Sequence, residues 1–157
     1  MKLHSKAVRI LLALISVLYF AACIRPNATG AENIAMINMF EPDEYATYCV
    51  IERMTSPKPD LKVFLQYFVT YDYYHYGFPF FGLSALAAYP LRWTGQFANL
   101  PLLMLVERQV ISLLPTLIAL LLLVYMHDQF HTYRSVLLYL LLLLVPAVLK
   151  NSLWWHP

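Results

Sequence analysis

The sequence predicts an all-α, polytopic membrane protein with three transmembrane helices and juxtamembrane helices in a long first outer loop. Of its 157 residues, 61% are hydrophobic and 13% are charged, whereas a typical soluble domain is about 45–50% apolar and about 25% charged. The charged residues are unevenly placed, and long stretches carry none. This distribution is typical of a chain that crosses a lipid bilayer several times.

Net charge and cysteine content exclude three other classes of protein. The net charge of +2 has no basic stripe behind it, which excludes a nucleic-acid-binding protein. Two cysteines are too few for a disulfide scaffold. The abundance of Leu, Tyr and Phe excludes a disordered chain.

The first predicted transmembrane helix is Ala7–Ile24. Basic residues before it, including Lys2 and Lys6, place the N-terminus in the cytoplasm by the positive-inside rule. A cleaved signal peptide and a lipoprotein-type cleavage before Cys23 are the competing interpretations. A retained anchor is favoured, because no A-x-A cleavage pattern is well formed and Phe20 is a bulky residue upstream of Cys23.

Two further uncharged stretches, Val110–Met126 and Ser135–Leu149, predict the second and third transmembrane helices. Each contains one proline, which membrane helices tolerate. The short loop His127–Arg134 between them predicts a hairpin turn at one side of the membrane. The predicted division of the chain is a helix at 7–24, an outer loop at 25–107, and helices at 108–126 and 135–150.

The aromatic segment Tyr76–Trp93 is ambiguous from composition alone. It is apolar, but Gly and Pro interrupt it, and its aromatic residues prefer the membrane interface. It either spans the bilayer or lies along the surface as an amphipathic helix. If it lies flat, the C-terminus faces the same side as the first loop, an arrangement that the basic residues of the hairpin loop favour.

The densest acidic cluster in the outer loop is Glu41-Pro42-Asp43-Glu44. Pro42 is suited to the first turn of a helix, where Asp43 and Glu44 are favoured by the helix dipole. They are either helix-start acids only or a carboxylate site at the membrane surface. A carboxylate held there acts as a general base on a hydroxyl or contributes to a divalent-metal site.

Two further features allow both a structural and a ligand-binding interpretation. The aromatic run at 68–81, which contains His75 and Tyr76, is either an interfacial belt or a platform for a sugar or lipid headgroup. Arg108 either extends to the interface or holds a phosphate in its planar guanidinium.

Taken in order, these features resemble the N-terminal part of a GT-C-fold glycosyltransferase of the protein mannosyltransferase and aminoarabinose transferase type (family 39). The resemblance lies in an anchor helix, an outer loop with Pro42-Asp43-Glu44 and Tyr48, the Tyr74–Pro79 element, and Arg108 opening a membrane helix. The family has a His-Pro-Pro-Leu-like element where this chain has Tyr-His-Tyr-Gly-Phe-Pro. The chain stops at Trp154-Trp155-His156-Pro157, where the family's second outer acidic motif is expected, so it looks truncated and inactive alone.

The resemblance implies transfer of a sugar from a polyprenyl-phosphate-linked donor to an acceptor hydroxyl on the outer face of the membrane. Asp43 would be the base, and Glu44 would support it or help place a metal. The implied substrate-binding residues are Tyr48, His75, Tyr76, Arg108 and His156. It also implies that both acidic motifs face outward, so that segment 76–93 is juxtamembrane.

Localisation and partners follow from the same features. We expect a multi-pass protein of the cell membrane, with a bacterial inner membrane favoured over the endoplasmic reticulum. The expected partners are the bilayer, the lipid-linked donor and an acceptor protein, lipid or glycan, without nucleic acid. The alternative to an enzyme is a small membrane scaffold or assembly subunit that packs against partners through its Leu-rich faces.

Overall fold

The computed structural model describes residues 2–72 and 77–155, with side chains from residue 5 onward. All regular elements in these ranges are helical, and no strand occurs within them. The helices are α1 (Lys2–Ala22), α2 (Ile24–Ala28), α3 (Ile34–Phe40), α4 (Pro42–Thr55), α5 (Leu61–Val69), α6 (Phe78–Trp93), α7 (Leu100–Glu107), a π-helical segment (Arg108–Leu113), α8 (Leu114–Asp128), α9 (Arg134–Leu143) and α10 (Pro146–Asn151). The all-α prediction is confirmed for these residues.

Within the described ranges, two continuous helical stretches are long and apolar enough to cross a membrane. They are Ser5–Ala28, with 24 residues, and Leu100–Asp128, with 29 residues. At 1.5 Å per residue they extend about 36 Å and about 43 Å, and a bilayer core is about 30 Å thick. Only 17% and 22% of their most apolar windows are buried inside the protein. Their apolar side chains therefore face outward, unlike those of a core helix in a soluble protein.

The second of these helices begins earlier than the sequence predicted. The helix starts at Leu100, where the Asn99 side chain accepts a hydrogen bond from the Leu102 amide at 3.3 Å and Pro101 occupies the first turn. Residues 100–107, which were predicted to belong to the outer loop, are thus part of the helix. The charge of Arg108 does not end it, because that charge is paired inside the protein.

The third predicted span, Ser135–Leu149, is wrong as a single helix. Helix α9 ends at Leu143, and Val145 is extended, with φ −63° and ψ 127°. Pro146 then starts the short helix α10. Proline lacks an amide hydrogen and disfavours helical geometry in the residue before it, so the helix is interrupted here.

The segment predicted to be the outer loop forms a helical unit of its own, which we call the loop unit and which comprises α3 to α7. Helix α4 begins at Pro42, as predicted, and ends before the turn that contains Pro57 and Pro59. Asp60 then caps α5 by accepting a hydrogen bond from the Val63 amide at 2.8 Å. Helix α6, which covers the ambiguous aromatic segment, packs against α4 and α7 and so belongs to the loop unit.

Buried side chains form two separate hydrophobic clusters. The bundle cluster joins the long helices to α9 and includes Leu12, Leu117 and Tyr139. The loop cluster joins α4, α6 and α7 and includes Ile51, Phe81, Leu103 and Trp155. Because Trp155 is fully buried in the loop cluster, it lies with the loop unit at one end of the helical bundle.

Candidate functional site

The central feature of the loop unit is a buried ion pair between Glu44 and Arg108. Arg108 donates from Nε to Glu44 Oε1 at 2.8 Å and from Nη2 to Glu44 Oε2 at 2.5 Å. The side chain of Glu44 is fully buried, and that of Arg108 is 6% exposed. This is the bidentate arrangement in which a planar guanidinium binds a carboxylate most strongly.

Local structure places both partners where they can meet. Glu44 lies in the first turn of α4, which Pro42 opens. Arg108 is the first residue of the π-helical segment, and Gln109 beside it is also buried. The side-chain Nε2 of Gln109 donates to the Phe20 carbonyl at 3.2 Å. A π turn inserts an extra residue into a helix and is frequent at functional sites.

The remaining donors of Arg108 bind backbone of the segment after the first long helix. Its Nη1 donates to the carbonyl oxygens of Asn27, at 3.0 Å, and Thr29, at 3.1 Å. A guanidinium has five N–H groups, and four hydrogen bonds are therefore made within the protein. Arg108 neither reaches the surface nor presents a free fork to a phosphate in this arrangement.

The C-terminal segment is attached to the same pair. The Trp155 amide donates to Glu44 Oε1 at 2.7 Å, and the Trp155 indole donates to Ser84 Oγ of α6 at 3.1 Å. The Asn27 side chain donates to the Ser152 carbonyl at 3.2 Å. Four separate parts of the chain thus converge on one buried carboxylate and one buried guanidinium.

Asp43, the other first-turn acid, has the opposite environment. Its side chain is exposed, and no ion pair within the described residues includes it. Adjacent positions on a helix point in different directions, so Glu44 faces inward while Asp43 faces out. The sequence grouped these two acids together, and the structure separates them.

The other predicted residues are distributed around this centre. Tyr48 lies one turn after Glu44 in α4, half-buried, with its ring stacked on Phe97 at 6.0 Å between centroids. Burial and the nearby charge of Glu52 raise the pKa of the Tyr48 hydroxyl, which therefore stays protonated. His75, Tyr76 and His156 lie outside the described residues.

Sequence analysis missed several residues of this arrangement. Glu107 is fully buried, and its carboxyl group lies beside the Ser84 hydroxyl. Ser84 and Trp155 belong to no motif in the sequence, and their hydrogen bonds to each other and from the Trp155 amide to Glu44 exist only after folding. Glu41 was visible in the acidic cluster but was not assigned a role.

The carboxyl group of Glu41 predicts a pH dependence of stability. Burial raises its pKa, the charge of Glu44 raises it further, and Arg108 and Lys150 partly oppose the shift. The folded state therefore holds this proton more tightly than the unfolded chain does, so the stability due to this group is lost as pH rises through the raised pKa.

We expect Glu41→Gln to remove this loss. The difference in thermal midpoint, Glu41→Gln minus the natural protein, should grow as pH rises from about 4 to about 7. This range starts below the ordinary pKa of Glu. Glu32→Gln, at an exposed position in the same loop, is the control. A constant difference between Glu41→Gln and the natural protein across this range would contradict the assignment.

The residues present do not form an evident metal site. Among the described residues, no three His, Cys, Asp or Glu side chains come together. Both oxygens of Glu44 already accept hydrogen bonds from Arg108, which leaves Asp43 as the accessible carboxylate of the first turn. We therefore assign no step to a metal ion.

Comparisons with known proteins give no family for this chain. No protein-family model, no curated protein and no solved structure matches it. The resemblance to glycosyltransferases stays a prediction that rests on the sequence motifs.

Proposed function

We propose that this protein is a membrane glycosyltransferase that transfers a sugar from a polyprenyl-phosphate-linked donor to an acceptor hydroxyl at the outer face of the membrane. The observation that carries the proposal is the separation of two adjacent acids at the start of α4. Glu44 is fixed by Arg108 inside the protein, and Asp43 is presented at the surface. An exposed carboxylate at a fixed helix start is accessible to an acceptor hydroxyl, as a general base must be.

In the proposed reaction, the oxygen of the acceptor hydroxyl bonds to the anomeric carbon of the sugar. Asp43 accepts the proton of that hydroxyl. The bond between that carbon and the phosphate oxygen breaks, and polyprenyl phosphate leaves with the electron pair. Glu44 and Arg108 are positioning residues, because their contacts are with the protein. Tyr48, His75, Tyr76 and His156 are proposed to contact sugar or acceptor, and contact of Arg108 with phosphate would require the ion pair to open.

The test is a transfer assay with the complete natural chain in liposomes. The donors are polyprenyl phosphates that carry single radiolabelled sugars, and the acceptors are a lipid, a glycan and a peptide hydroxyl. Label should move to one acceptor class only when donor and acceptor are on the side of the outer loop. Absence of transfer from every donor would overturn the proposal.

The proposed orientation has its own test with the two cysteines. Cys49, on α4, is exposed, and Cys23, at the end of α1, is buried. A membrane-impermeant maleimide added to intact cells should therefore label the natural protein and not Cys49→Ser. A cysteine introduced at exposed Thr132 in the hairpin loop should stay unlabelled until the cells are permeabilised. Labelling of the Thr132 site alone would reverse the orientation.

A second candidate function is a membrane scaffold or assembly subunit. It is favoured by large apolar side chains on the surface of the loop unit, where Met39 is 76% exposed, Leu61 71% and Trp93 82%. Such residues bind lipid or another membrane protein. A stoichiometric partner that co-purifies, together with no transfer in any assay, would favour the scaffold.

A further inference from the structure

A long apolar furrow runs along the seam between α1 and α8, and its wider part lies at the end of the bundle opposite to Glu44. Its wider part has a volume of about 450 Å³ and is lined by Arg9, Ala13, Ile118 and Tyr125, among others. A second hollow of about 260 Å³ continues it toward Phe20, and the two share Ile118 and Leu121. We name this combined feature the Arg9 furrow.

The dimensions of the furrow match one lipid chain in one leaflet. Arg9 and Phe20, at its two ends, are separated by about 16 Å along the helix at 1.5 Å per residue. Half of a bilayer core is about 15 Å thick. The walls between these ends are almost wholly apolar, so they suit a hydrocarbon chain and no polar ligand.

Arg9 supplies one charge at the mouth of the furrow. Its side chain is exposed and makes no ion pair within the described part of the chain. The acid at this end, Asp128, already accepts hydrogen bonds from the Phe130 amide, the Thr132 amide and hydroxyl, and Ser135. The guanidinium is therefore available to an external anion.

Further basic side chains surround this end of the bundle. Lys6 and Arg134 are exposed there, and each basic residue near an anionic leaflet favours binding of negatively charged lipid. Uncharged or zwitterionic lipids would fill the apolar walls equally well but would not use the charge. The exposed guanidinium of Arg9, next to a furrow about as long as one acyl chain, favours a lipid whose headgroup carries a net negative charge.

We propose that the Arg9 furrow binds an anionic phospholipid of the leaflet at the N-terminal side, with its phosphate on Arg9 and one acyl chain along the seam. This site lies at the opposite end from Asp43 and does not depend on sugar transfer. It depends on the two long helices crossing a membrane. Bound lipid would fill the gap between α1 and α8 and strengthen their contact.

The test measures lipid retention by the complete chain after its release from bilayers made of equal parts phosphatidylglycerol and phosphatidylcholine with identical acyl chains. Native mass spectrometry should show preferential retention of phosphatidylglycerol. Arg9→Gln should reduce this preference about fivefold, the effect of one basic residue near the surface. Arg134→Gln removes the same charge at the same end but outside the furrow, and as the matched control it should reduce the preference less, because Arg134 is not at the mouth of the furrow.

A second pair of variants tests the apolar part without changing charge. Ala13→Phe fills the furrow and should reduce retention of both lipids, whereas Ala21→Phe, at an exposed position of α1 outside the furrow, should not. Equal retention of the two lipids by the natural protein would overturn the proposal. So would an equal effect of Arg9→Gln and Arg134→Gln, or unchanged retention in Ala13→Phe.

Discussion

Replacing Arg108 by Met is expected to lower the free energy of unfolding by about 3–5 kcal/mol, the usual cost of removing one partner from a buried ion pair. The large effect arises because Glu44 would stay fully buried without its cation. The carbonyl oxygens of Asn27 and Thr29 would also lose their donor. The measurement is unfolding in mixed micelles, followed by far-ultraviolet circular dichroism of the helices.

A matched control is available in the same loop unit. Arg53 forms an ion pair with Asp72, but their side chains are 41% and 60% exposed. Exposed pairs contribute about 0–1 kcal/mol, so Arg53→Met should change stability by no more than that. Equal destabilisation by Arg53→Met and Arg108→Met would contradict the assigned importance of burial.

The paired variant Glu44→Gln/Arg108→Met separates pairing from simple loss of contacts. Gln keeps a carbonyl oxygen for the Trp155 amide, which Glu44 Oε1 accepts at 2.7 Å, and it carries no charge. We expect the double variant to be more stable than Arg108→Met alone, because the uncompensated carboxylate is gone. If the stability lost in the double variant equals the sum of the losses in Glu44→Gln and Arg108→Met, the two residues are not coupled.

Asp43→Asn is expected to lower the rate of sugar transfer by about 10²–10⁴-fold, the usual contribution of a general base. The substitution keeps the size of the side chain and removes its ability to accept a proton. Because Asp43 is exposed and lies in no ion pair within the described residues, the fold should be retained. Transfer and thermal midpoint are to be measured on the same preparation.

The control for this substitution is Asp60→Asn. Asp60 lies in the same loop and caps α5 through its side-chain oxygen. Asn is as good a helix cap as Asp, so neither stability nor transfer should change. Full activity in Asp43→Asn would remove Asp43 as the base, and a similar loss in Asp60→Asn would indicate an unspecific effect of charge in the loop.

The sequence predicted the helices whose ends are set by local chemistry. Pro42 fixes the start of α4, as the sequence predicted. It failed at Leu100, where it took the charge of Arg108 as the end of an apolar stretch. It also failed at Pro146, which was expected to be tolerated inside a membrane helix and instead begins α10.

The candidate site shows the same division between local and long-range information. The position of Asp43 and Glu44 in a first turn follows from Pro42, because helix starts favour both proline and acids. Which of the two acids is buried does not follow from it. That depends on Arg108, which lies 64 residues away along the chain, and on Trp155, which lies 111 residues away.

The sequence alone determined the helical class, the apolar character of the long helices and the presence of an acidic helix start at Pro42. These depend on composition and on residues near one another in the chain. Only the tertiary structure decided that Glu44 is buried in an ion pair while Asp43 is exposed, and that α1 and α8 leave a furrow between them. Both results depend on side chains from distant segments, whose meeting no local pattern encodes.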